Sequence, residues 1–408
     1  MNVAYVFPYF PARIETFAGT DIRALREQVD EVVACNLRRQ DADAPDLLRQ
    51  WELADMTIEP LNARGLLGGL AYAIRNPGLA VHGLATTVRD NWRAPVHLAK
   101  GLLTLPSAFA VMRHLARHQP DVVHIFWGHF PAIVGVLAKR ALPNAAVTTF
   151  LGAYDLHARY RTSYTLTDLA DRVFTHVHAN VPTLTSRGVP ESKITAIPRG
   201  VDLTRFQSTG SEKAPRRIAA VGRMVEDKGF QNVVEAFARV QEKWPDATLH
   251  MIGDGPYRPE LERMVAEKGL AGVTFCGYLP HHQVFAEVEE AEVFMLLSPS
   301  ERLPNAVKEA MAARCVCVVS DTPGIEELVR PGVDGYVVDA KDWEGAARHI
   351  DEVFSDPELC ARLSKNAREH IETAYNTRRN METYVRIWEE ALARKRGEAV
   401  PAPRQPTA

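Results

Sequence analysis

Two glutamates, Glu301 and Glu309, flank a turn and the first turn of a predicted helix. The strand-like run 293–297 ends just before them, and Pro304 suits the start of a helix that continues to about Ala313. Because open α/β sheets bind ligands at the carboxyl ends of their strands, both side chains can face one crevice. Carboxylates fixed there can accept hydrogen bonds from the hydroxyl groups of a sugar or a ribose. A helix-capping Glu301 and a solvated Glu309 are the simpler alternative.

A second group of residues that could bind a ligand follows the predicted strand 217–221, where Gly222 and Arg223 precede Lys228. A glycine turn followed by cations at the start of a helix suits an oxyanion, because point charges add to free N–H groups at the helix N-terminus. Arg223 and Lys228, five residues apart, can hold a diphosphate between them. Ordinary surface cations at a turn are the alternative. Gly253, in the Gly-Asp-Gly-Pro turn after another predicted strand, is a weaker signal of the same kind.

The first half of the chain offers two histidines and an aspartate. His124 lies inside the predicted strand 121–126, and His129 follows that strand. A histidine here is a candidate hydrogen-bond donor to a ligand, with His129 the first candidate and His124 the second. A histidine packed in the core is the alternative, above all for His124. Asp155 follows the predicted strand 145–150 and is either a ligand-side carboxylate or a helix cap.

The sequence pattern predicts that alternating strands and helices position these residues. Short β-branched runs are followed by longer stretches of helical periodicity, which is typical of βαβ units in parallel sheets. The predicted strands cover residues 3–7, 31–35, 121–126, 145–150, 172–177, 193–197, 217–221, 247–252, 273–276, 293–297, 315–319 and 336–338. The rhythm repeats in both halves, so we expect an α/β protein with two Rossmann-like domains.

The polar, turn-rich stretch 207–215 indicates a domain boundary. We predict a first domain over 1–206, a second over 207–376, a final helix over 377–395 that crosses back to the first domain, and a disordered Pro-rich tail over 396–408. The segment 60–120 interrupts the strand rhythm with amphipathic helices separated by Pro77, Pro95 and Pro106.

Composition excludes several classes of protein. The chain has 408 residues, 46% of them hydrophobic, and a net charge of −3, so it is neither disordered nor strongly basic, and no nucleic-acid partner is expected. The longest clean apolar run, 65–74, is too short to span a bilayer, and the start of the chain lacks a basic signal region. Five cysteines without a Cys-x-x-Cys pair favour a reduced, cytoplasmic protein without a zinc site.

The segment 60–120 also concentrates positive charge. It holds seven cations and one anion, a net charge of +6, which leaves −9 for the rest of the chain. Apolar helix faces beside arginines are typical of a peripheral element on an anionic membrane, here the inner face of a membrane. The alternative is that these helices cover the first sheet and their arginines are solvated.

Taken in order, five motifs of the second half resemble one family, the retaining GT-B glycosyltransferases of family 4, also called group 1. They are VGRMVEDKGF (221–230), HMIGDGP (250–256), SPSERLPNAVKEAMA (298–312), SDTPGIEELV (320–329) and VDGYVV (333–338). The likeness is strong over about 190–340 and weaker before it. It implies two Rossmann-like domains with parallel sheets that face each other across a cleft.

The resemblance also implies roles for the candidate residues. Arg223 and Lys228 would neutralise the diphosphate of a nucleotide-sugar donor, Glu301 would bind the transferred sugar, and Glu309 the ribose. With His129 as a further catalytic residue, the donor-binding set is Gly222, Arg223, Lys228, Gly253, Gly277, Tyr278, Leu279, Glu301, Pro304, Asn305, Ala306 and Glu309. Residues 276–279 would line the base pocket, and the backbone at 304–306 would add to the anion site. No metal and no cofactor are expected.

The opening PARIETF run, 11–17, is similar to that of some exopolysaccharide transferases and places Glu15, with His124 and Asp155, on the acceptor side. Arg302 and Arg314 depart from the family pattern, which has glycine at both positions. The implied function is sugar transfer, with retention of configuration, to a lipid-linked or polysaccharide acceptor of a cell-surface glycan. A sugar-nucleotide epimerase or hydrolase with the same fold, and an inactive scaffold of a polysaccharide assembly, are the alternatives. A Rossmann oxidoreductase is disfavoured because neither half has a G-x-G-x-x-G turn after its first strand.

Overall fold

The computed structural model describes residues 1–12, 16–59, 61–158, 160–206, 212–301 and 303–399. The predicted site residue Glu15 and the departure at Arg302 lie outside the described residues, as do residues 400–408 of the predicted tail. The chain forms two compact units. Unit 1 combines Met1–Arg199 with the residues from Thr377 on, and unit 2 is Gly200–Asn376.

Unit 1 is built on a seven-stranded, all-parallel sheet with the order β3-β2-β1-β4-β5-β6-β7. Its strands are β1 Asn2–Phe7, β2 Glu31–Asn36, β3 Ile58–Glu59, β4 Val122–Ile125, β5 Ala146–Phe150, β6 Arg172–Thr175 and β7 Ile194–Ala196. Its first nine helices are α1 Thr16–Arg26, α2 Ala44–Gln50, α3 Ala63–Arg75, α4 Pro77–Asn91, α5 Pro95–His118, α6 Ala132–Ala141, α7 Ala153–Ala158, α8 Arg161–Leu169 and α9 Val181–Thr185.

Successive residues of β1 pack on opposite faces of this sheet, as the two-residue period of a strand requires. Ala4 and Val6 join the core formed with the segment α4–α6, whereas Tyr5 and Phe7 join the core on the other face. Both faces are therefore covered, which explains why the strands read as nearly continuous apolar runs.

Unit 2 has a six-stranded, all-parallel sheet with the order β10-β9-β8-β11-β12-β13. The strands are β8 Ala214–Val221, β9 Thr248–Ile252, β10 Val273–Gly277, β11 Ala291–Leu296, β12 Val316–Ser320 and β13 Gly335–Val338. The helices are α10 Phe230–Lys243, α11 Arg258–Glu267, α12 His281–Glu289, α13 Asn305–Ala312, α14 Trp343–Ser355 and α15 Pro357–Ala374. Two parallel, doubly covered sheets confirm the predicted fold class.

The last helix, α16 Thr377–Arg396, belongs to unit 1, where Trp388 is completely buried and its indole N–H donates to Thr148 Oγ1 at 3.2 Å. Unit 2 begins at Gly200, a few residues before the predicted boundary at 206–207.

The described part of the segment 60–120 is helical as predicted, but two of the three prolines that were expected to separate its helices, Pro77, Pro95 and Pro106, begin helices. Pro77 and Pro95 are the first residues of α4 and α5, where the missing N–H costs nothing because it would have no partner within the helix. Pro106 lies inside α5. None of the helices among the described residues has the length and apolar content that a bilayer crossing requires.

In each sheet the chain first builds outwards from one strand and then returns to that strand's other side. The point of return lies between β1 and β4 in unit 1 and between β8 and β11 in unit 2. The loops at the carboxyl ends of such strand pairs form the usual ligand crevice of open α/β sheets.

Candidate active site

The loops that leave β8, β9 and β11 in unit 2 are held together by close backbone contacts. Gly253, with φ of 133°, lies so close to the loop after β8 that an added Cβ would be 1.9 Å from the carbonyl oxygen of Gly222. At Gly229, whose φ is 68°, an added Cβ would lie 2.0 Å from the carbonyl oxygen of Leu297. Both positions need glycine for space and for backbone conformation. The loops after β8, β9 and β11 therefore form one rigid surface, called the floor of the site below, at the point of return between β8 and β11.

Side chains fasten the same two loops. Ser298 Oγ donates to the carbonyl oxygen of Asp227 at 2.9 Å, and Asn232 Nδ2 donates to that of Leu297 at 3.0 Å. On this floor the ammonium group of Lys228 forms a salt bridge with the carboxylate of Glu301. Their side chains are 27% and 17% exposed. The structure therefore brings together two of the predicted catalytic residues, which are 73 positions apart in the chain.

Arg223 lies in the same loop with its side chain exposed, and within the described part of the chain its guanidinium forms no hydrogen bond or ion pair. The same loop also carries the exposed carboxylates of Glu226 and Asp227. Arg223 therefore offers one unpaired guanidinium as a point contact for an anionic ligand.

The N-terminus of α13 lies just after Glu301 in the chain. Its N-cap is Pro304, and no side chain of the described residues caps the helix, so the first amides at Asn305 and Ala306 have no partner within it. Lys308, one turn later, is 1% exposed, and its Nζ donates to Asn305 Oδ1 at 3.2 Å. This buried cation was not predicted from the sequence. The helix N-terminus itself offers positive potential to an anion.

Glu309, on α13, is partly buried, and its Oε1 lies 3.3 Å from Nε2 of His281 at the start of α12. His281 is a further residue that sequence reasoning missed, since a histidine in the first turn of an amphipathic helix has no distinguishing pattern. The contact fixes one oxygen of the carboxylate.

The predicted base-pocket residues follow the end of β10. Gly277 has φ of 68°, Leu279 is half-buried, and Tyr278 is 86% exposed. An exposed aromatic ring on a tight turn is available for stacking against a planar ligand. Their role in binding a base stays a prediction.

In unit 1 the structure brings together His129 and Asp155, which were predicted separately. His129 Nδ1 lies 3.1 Å from Asp155 Oδ1, and Asp155 Oδ2 accepts a hydrogen bond from the amide of Gly152 at 2.9 Å. The aspartate is buried, while 16% of the histidine side chain remains exposed. A carboxylate that holds Nδ1 fixes the orientation of the ring.

His124 lies in the core and not at a strand exit. It is 1% exposed, it packs against Tyr5 and Trp388, and its Nδ1 lies 2.8 Å from Thr148 Oγ1. Burial, with a smaller contribution from the charge of Arg199, lowers the pKa of His124 to about 3. The ring is therefore neutral and structural, as in the alternative given for a histidine inside an apolar strand, and we leave it out of the site proposed below.

The departure at Arg314 has a structural consequence. Its φ is 60°, in the left-handed region where glycine is preferred. A glycine would relieve that backbone conformation, in agreement with the family pattern at this position.

One group of side chains among the described residues could hold a metal ion. The ligand atoms of His250, Cys276 and Glu287 lie within 4.8 Å of one another. His250 Nδ1 is already 2.8 Å from a Glu287 oxygen, and Arg217 lies 3.9 Å from the same carboxylate. The group is thus satisfied by internal contacts, and the neighbouring guanidinium competes with any cation for Glu287.

Two family models match the chain. Glycosyl transferases group 1 matches residues 202–370, and Glycosyltransferase Family 4 matches residues 72–205. A protein named as a colanic acid biosynthesis glycosyltransferase, WcaL of Salmonella typhimurium, is 27% identical over 401 residues, which cover 92% of this chain and 96% of that protein. The lipopolysaccharide core biosynthesis glycosyltransferase LpsE of Rhizobium meliloti is 26% identical over 275 residues, 63% of this chain and 79% of that protein.

Among solved structures, HepE of Anabaena in complex with UDP is similar, with a TM-score of 0.71 and 16% identity over 94% of this chain and 98% of that chain. This likeness supports the fold. Together with the two family models, it confirms the fold family that the motifs of the second half indicated.

Proposed function

We propose that this chain, a GT-B glycosyltransferase of group 1 and family 4, transfers a sugar from a nucleoside diphosphate to a lipid-linked or polysaccharide acceptor. The relatives named for colanic acid and lipopolysaccharide synthesis support a place in cell-surface glycan synthesis. The UDP that HepE binds supports a nucleotide-sugar donor.

The observation that carries the proposal is the Lys228–Glu301 pair at the point of return between β8 and β11. In the proposed complex Lys228 and Arg223 hold the diphosphate, and the uncapped amides at Asn305 and Ala306 bind its oxygens. Glu301, already positioned by Lys228, accepts hydrogen bonds from the hydroxyl groups of the transferred sugar. Glu309 does the same for the ribose.

This arrangement favours cleavage of the glycosyl–phosphate bond. As the bond breaks, negative charge grows on the leaving diphosphate, and preorganised cations and amides stabilise that charge most strongly in the transition state. We propose that the sugar keeps its configuration, with the leaving phosphate on the same face as the attacking hydroxyl group and accepting its proton. No side chain then needs to act as a covalent nucleophile.

In unit 1 we propose that His129 donates a hydrogen bond from Nε2 to the sugar or to the developing charge. Asp155 acts through it as a positioning residue, because its bond to Nδ1 fixes the ring. With Nδ1 donating to the carboxylate, donation from Nε2 requires the imidazolium form, in which both ring nitrogens carry a proton.

We propose further that the reaction needs no metal, since cations of the chain itself occupy the place of a divalent ion at the diphosphate. Activity in excess EDTA tests this. If chelation abolishes turnover, the His250–Cys276–Glu287 group becomes the first place to examine, with Cys276→Ser as the variant. The proposed location is cytoplasmic, at the inner face of a membrane.

The proposed function is tested with a panel of UDP-, GDP- and ADP-sugars. Binding is read from thermal unfolding, since a ligand that binds only the folded chain raises its apparent stability. Transfer is then measured with the bound donor and polyprenyl-diphosphate sugars, and the anomeric configuration of the product is read by NMR. We expect one nucleotide class to bind and its sugar to be transferred. Hydrolysis or epimerisation with every acceptor would favour the related sugar-nucleotide enzymes, and no nucleotide binding would favour a scaffold.

A further inference from the structure

Exposed hydrophobic side chains are concentrated in one part of the described chain. Of the large hydrophobic residues that face solvent, all but Leu169, Tyr278 and Val333 lie between residues 67 and 103. They are Leu67, Leu70, Ile74, Val81, Leu84, Val88, Trp92, Val96, Leu102 and Leu103. Isolated exposed hydrophobic residues are ordinary, but a set confined to three consecutive helices requires an explanation.

The spacing of these residues forms stripes along the solvent side of the helices. On α3, Leu67, Leu70 and Ile74 are three and four residues apart and therefore share one face. The buried side of α3 is marked by Gly69, where an added Cβ would lie 2.5 Å from the amide nitrogen of Ala110 on α5.

Helix α4 repeats the pattern. Val81, Leu84 and Val88 form an exposed stripe that continues to Trp92, whose side chain is 59% exposed. The buried side carries Gly83, where an added Cβ would lie 3.2 Å from the side chain of Leu137 on α6. The inner side of α3 thus packs on α5 and that of α4 packs on α6, while both helices carry an apolar outer face that the folded chain leaves exposed.

The charges around this outer face have one sign. Arg64, Arg75, Arg89, Arg93 and Lys100 are all exposed. The only acid within residues 61–103, all of which the structure describes, is Asp90, which is buried and bonded to Arg89 and to Thr165. The Arg93 guanidinium lies 4.6 Å from the centre of the Trp92 ring. A tryptophan beside cations and aliphatic side chains is the composition of a helix that lies in a membrane interface.

We propose that the outer faces of α3, α4 and the first half of α5, over residues 64–103, form a docking surface for an anionic lipid bilayer. The apolar stripes enter the boundary between headgroups and acyl chains, and the five cations contact lipid phosphates. A second copy of the chain is a poorer occupant, because it would place two surfaces that each have a net charge of +4 against each other. The surface does not depend on the proposed sugar transfer, although a lipid-linked acceptor would reach the enzyme at this place.

The test is co-flotation of the full chain with vesicles of phosphatidylcholine alone or with one quarter phosphatidylglycerol, at 50 and 300 mM salt. One variant, Leu67→Ser with Ile74→Ser, removes apolar contact, and a second, Arg75→Gln with Arg93→Gln, removes charge. The matched control, Leu169→Ser with Val333→Ser, removes two exposed hydrophobic residues outside the surface. Chemical unfolding shows whether each variant keeps the wild-type fold.

We expect binding to the anionic vesicles only, weakened by salt. Each lost arginine should reduce the partition coefficient about fivefold, and the paired serine substitutions should reduce it at least about tenfold, while the control binds as the wild type. Quenching of Trp92 by brominated lipid should disappear in Trp92→Phe.

No flotation at 50 mM salt would overturn the proposal, and so would equal loss of binding in the control. A dimer in sedimentation that the Leu67/Ile74 variant converts to a monomer would assign the surface to a second copy. Because donor turnover with a soluble acceptor is measured separately and should be unchanged in all the variants, failure here leaves the proposed function standing.

Discussion

Replacing Lys228 with alanine removes the cation that the account places on the leaving diphosphate. In the free protein its ammonium group contacts Glu301, and both side chains are partly buried. Exposed ion pairs are worth about 0–1 kcal/mol, and breaking a fully buried pair costs about 3–5 kcal/mol. For this half-buried pair we expect unfolding to become easier by about 1–2 kcal/mol, so that the variant still folds.

The effect on the reaction should be larger than the effect on donor binding. Hydrogen bonds to charged groups contribute about 1.5–3 kcal/mol, so the dissociation constant of the donor should rise about 10–100-fold. Negative charge on the diphosphate increases as the glycosyl bond breaks. By analogy with a lost oxyanion-hole donor, kcat should fall about 100–1,000-fold.

The assay compares nucleotide binding by calorimetry with kcat at saturating donor, for Lys228→Ala, for Lys228→Arg and for the exposed Lys341→Ala. Lys228→Arg keeps the charge and should recover part of kcat, and Lys341→Ala should behave as the wild type. The reasoning is refuted if Lys228→Ala turns over at the wild-type rate, or if weakened binding alone accounts for its lost activity.

Three further predictions concern other parts of the account. Glu309→Ala should raise the donor KM about 10–100-fold with a smaller change in kcat, because its carboxylate binds the ribose in ground and transition states alike; an unchanged KM would remove it from the ribose site. Asp155→Asn should lower kcat at least about tenfold with little change in the donor KM, since His129 loses the carboxylate that holds its Nδ1; a variant that changes only KM, or only the stability of the fold, would indicate that Asp155 does not act through His129. The buried, neutral His124 has a folded-state pKa of about 3 against 6.5 in the unfolded chain, so the unfolded chain binds more protons between these values. Stability should be complete above pH 6.5 and fall by up to about 1.4 kcal/mol for each pH unit below it, as urea unfolding at pH 7.5, 6.0 and 5.0 would show, and His124→Gln should flatten that slope.

The sequence predicted the elements of the fold well because each strand carries its own local signal. Every predicted strand overlaps an observed one, since buried parallel strands are short apolar runs between turns. Among the strands of the described residues, β3 was not predicted, because its two residues, Ile58 and Glu59, are too few to form a pattern. The prolines of 60–120 were read as interruptions, yet Pro77 and Pro95 start new helices.

The candidate site could be predicted where its residues directly follow the carboxyl ends of strands. Lys228 and Glu301 follow two strands that turn out to be neighbours, so the topology itself brings them together. The pairing of His129 with Asp155 has the same origin, because β4 and β5 are adjacent. A sequence does not state which strands are neighbours. It therefore predicted that these residues lie in one region, but not that they contact each other.

Other features depend on side-chain burial, which local sequence does not encode. His124 and His129 both read as histidines near one strand, but only the structure shows that His124 is enclosed by Tyr5 and Trp388, the latter from a helix more than 200 residues away. Lys308 is a lysine in an amphipathic helix by sequence, and its burial beside the first turn of α13 depends on packing within unit 2.

The most direct test of the central claim is a crystal structure of the full chain with the nucleoside diphosphate that stabilises it best. The account predicts a diphosphate that contacts Lys228 Nζ, Arg223 and the amides at the start of α13, with the ribose hydroxyl groups on Glu309. A nucleotide bound elsewhere on unit 2, or a diphosphate that leaves Lys228 and Glu301 in their mutual contact and touches neither, would contradict it.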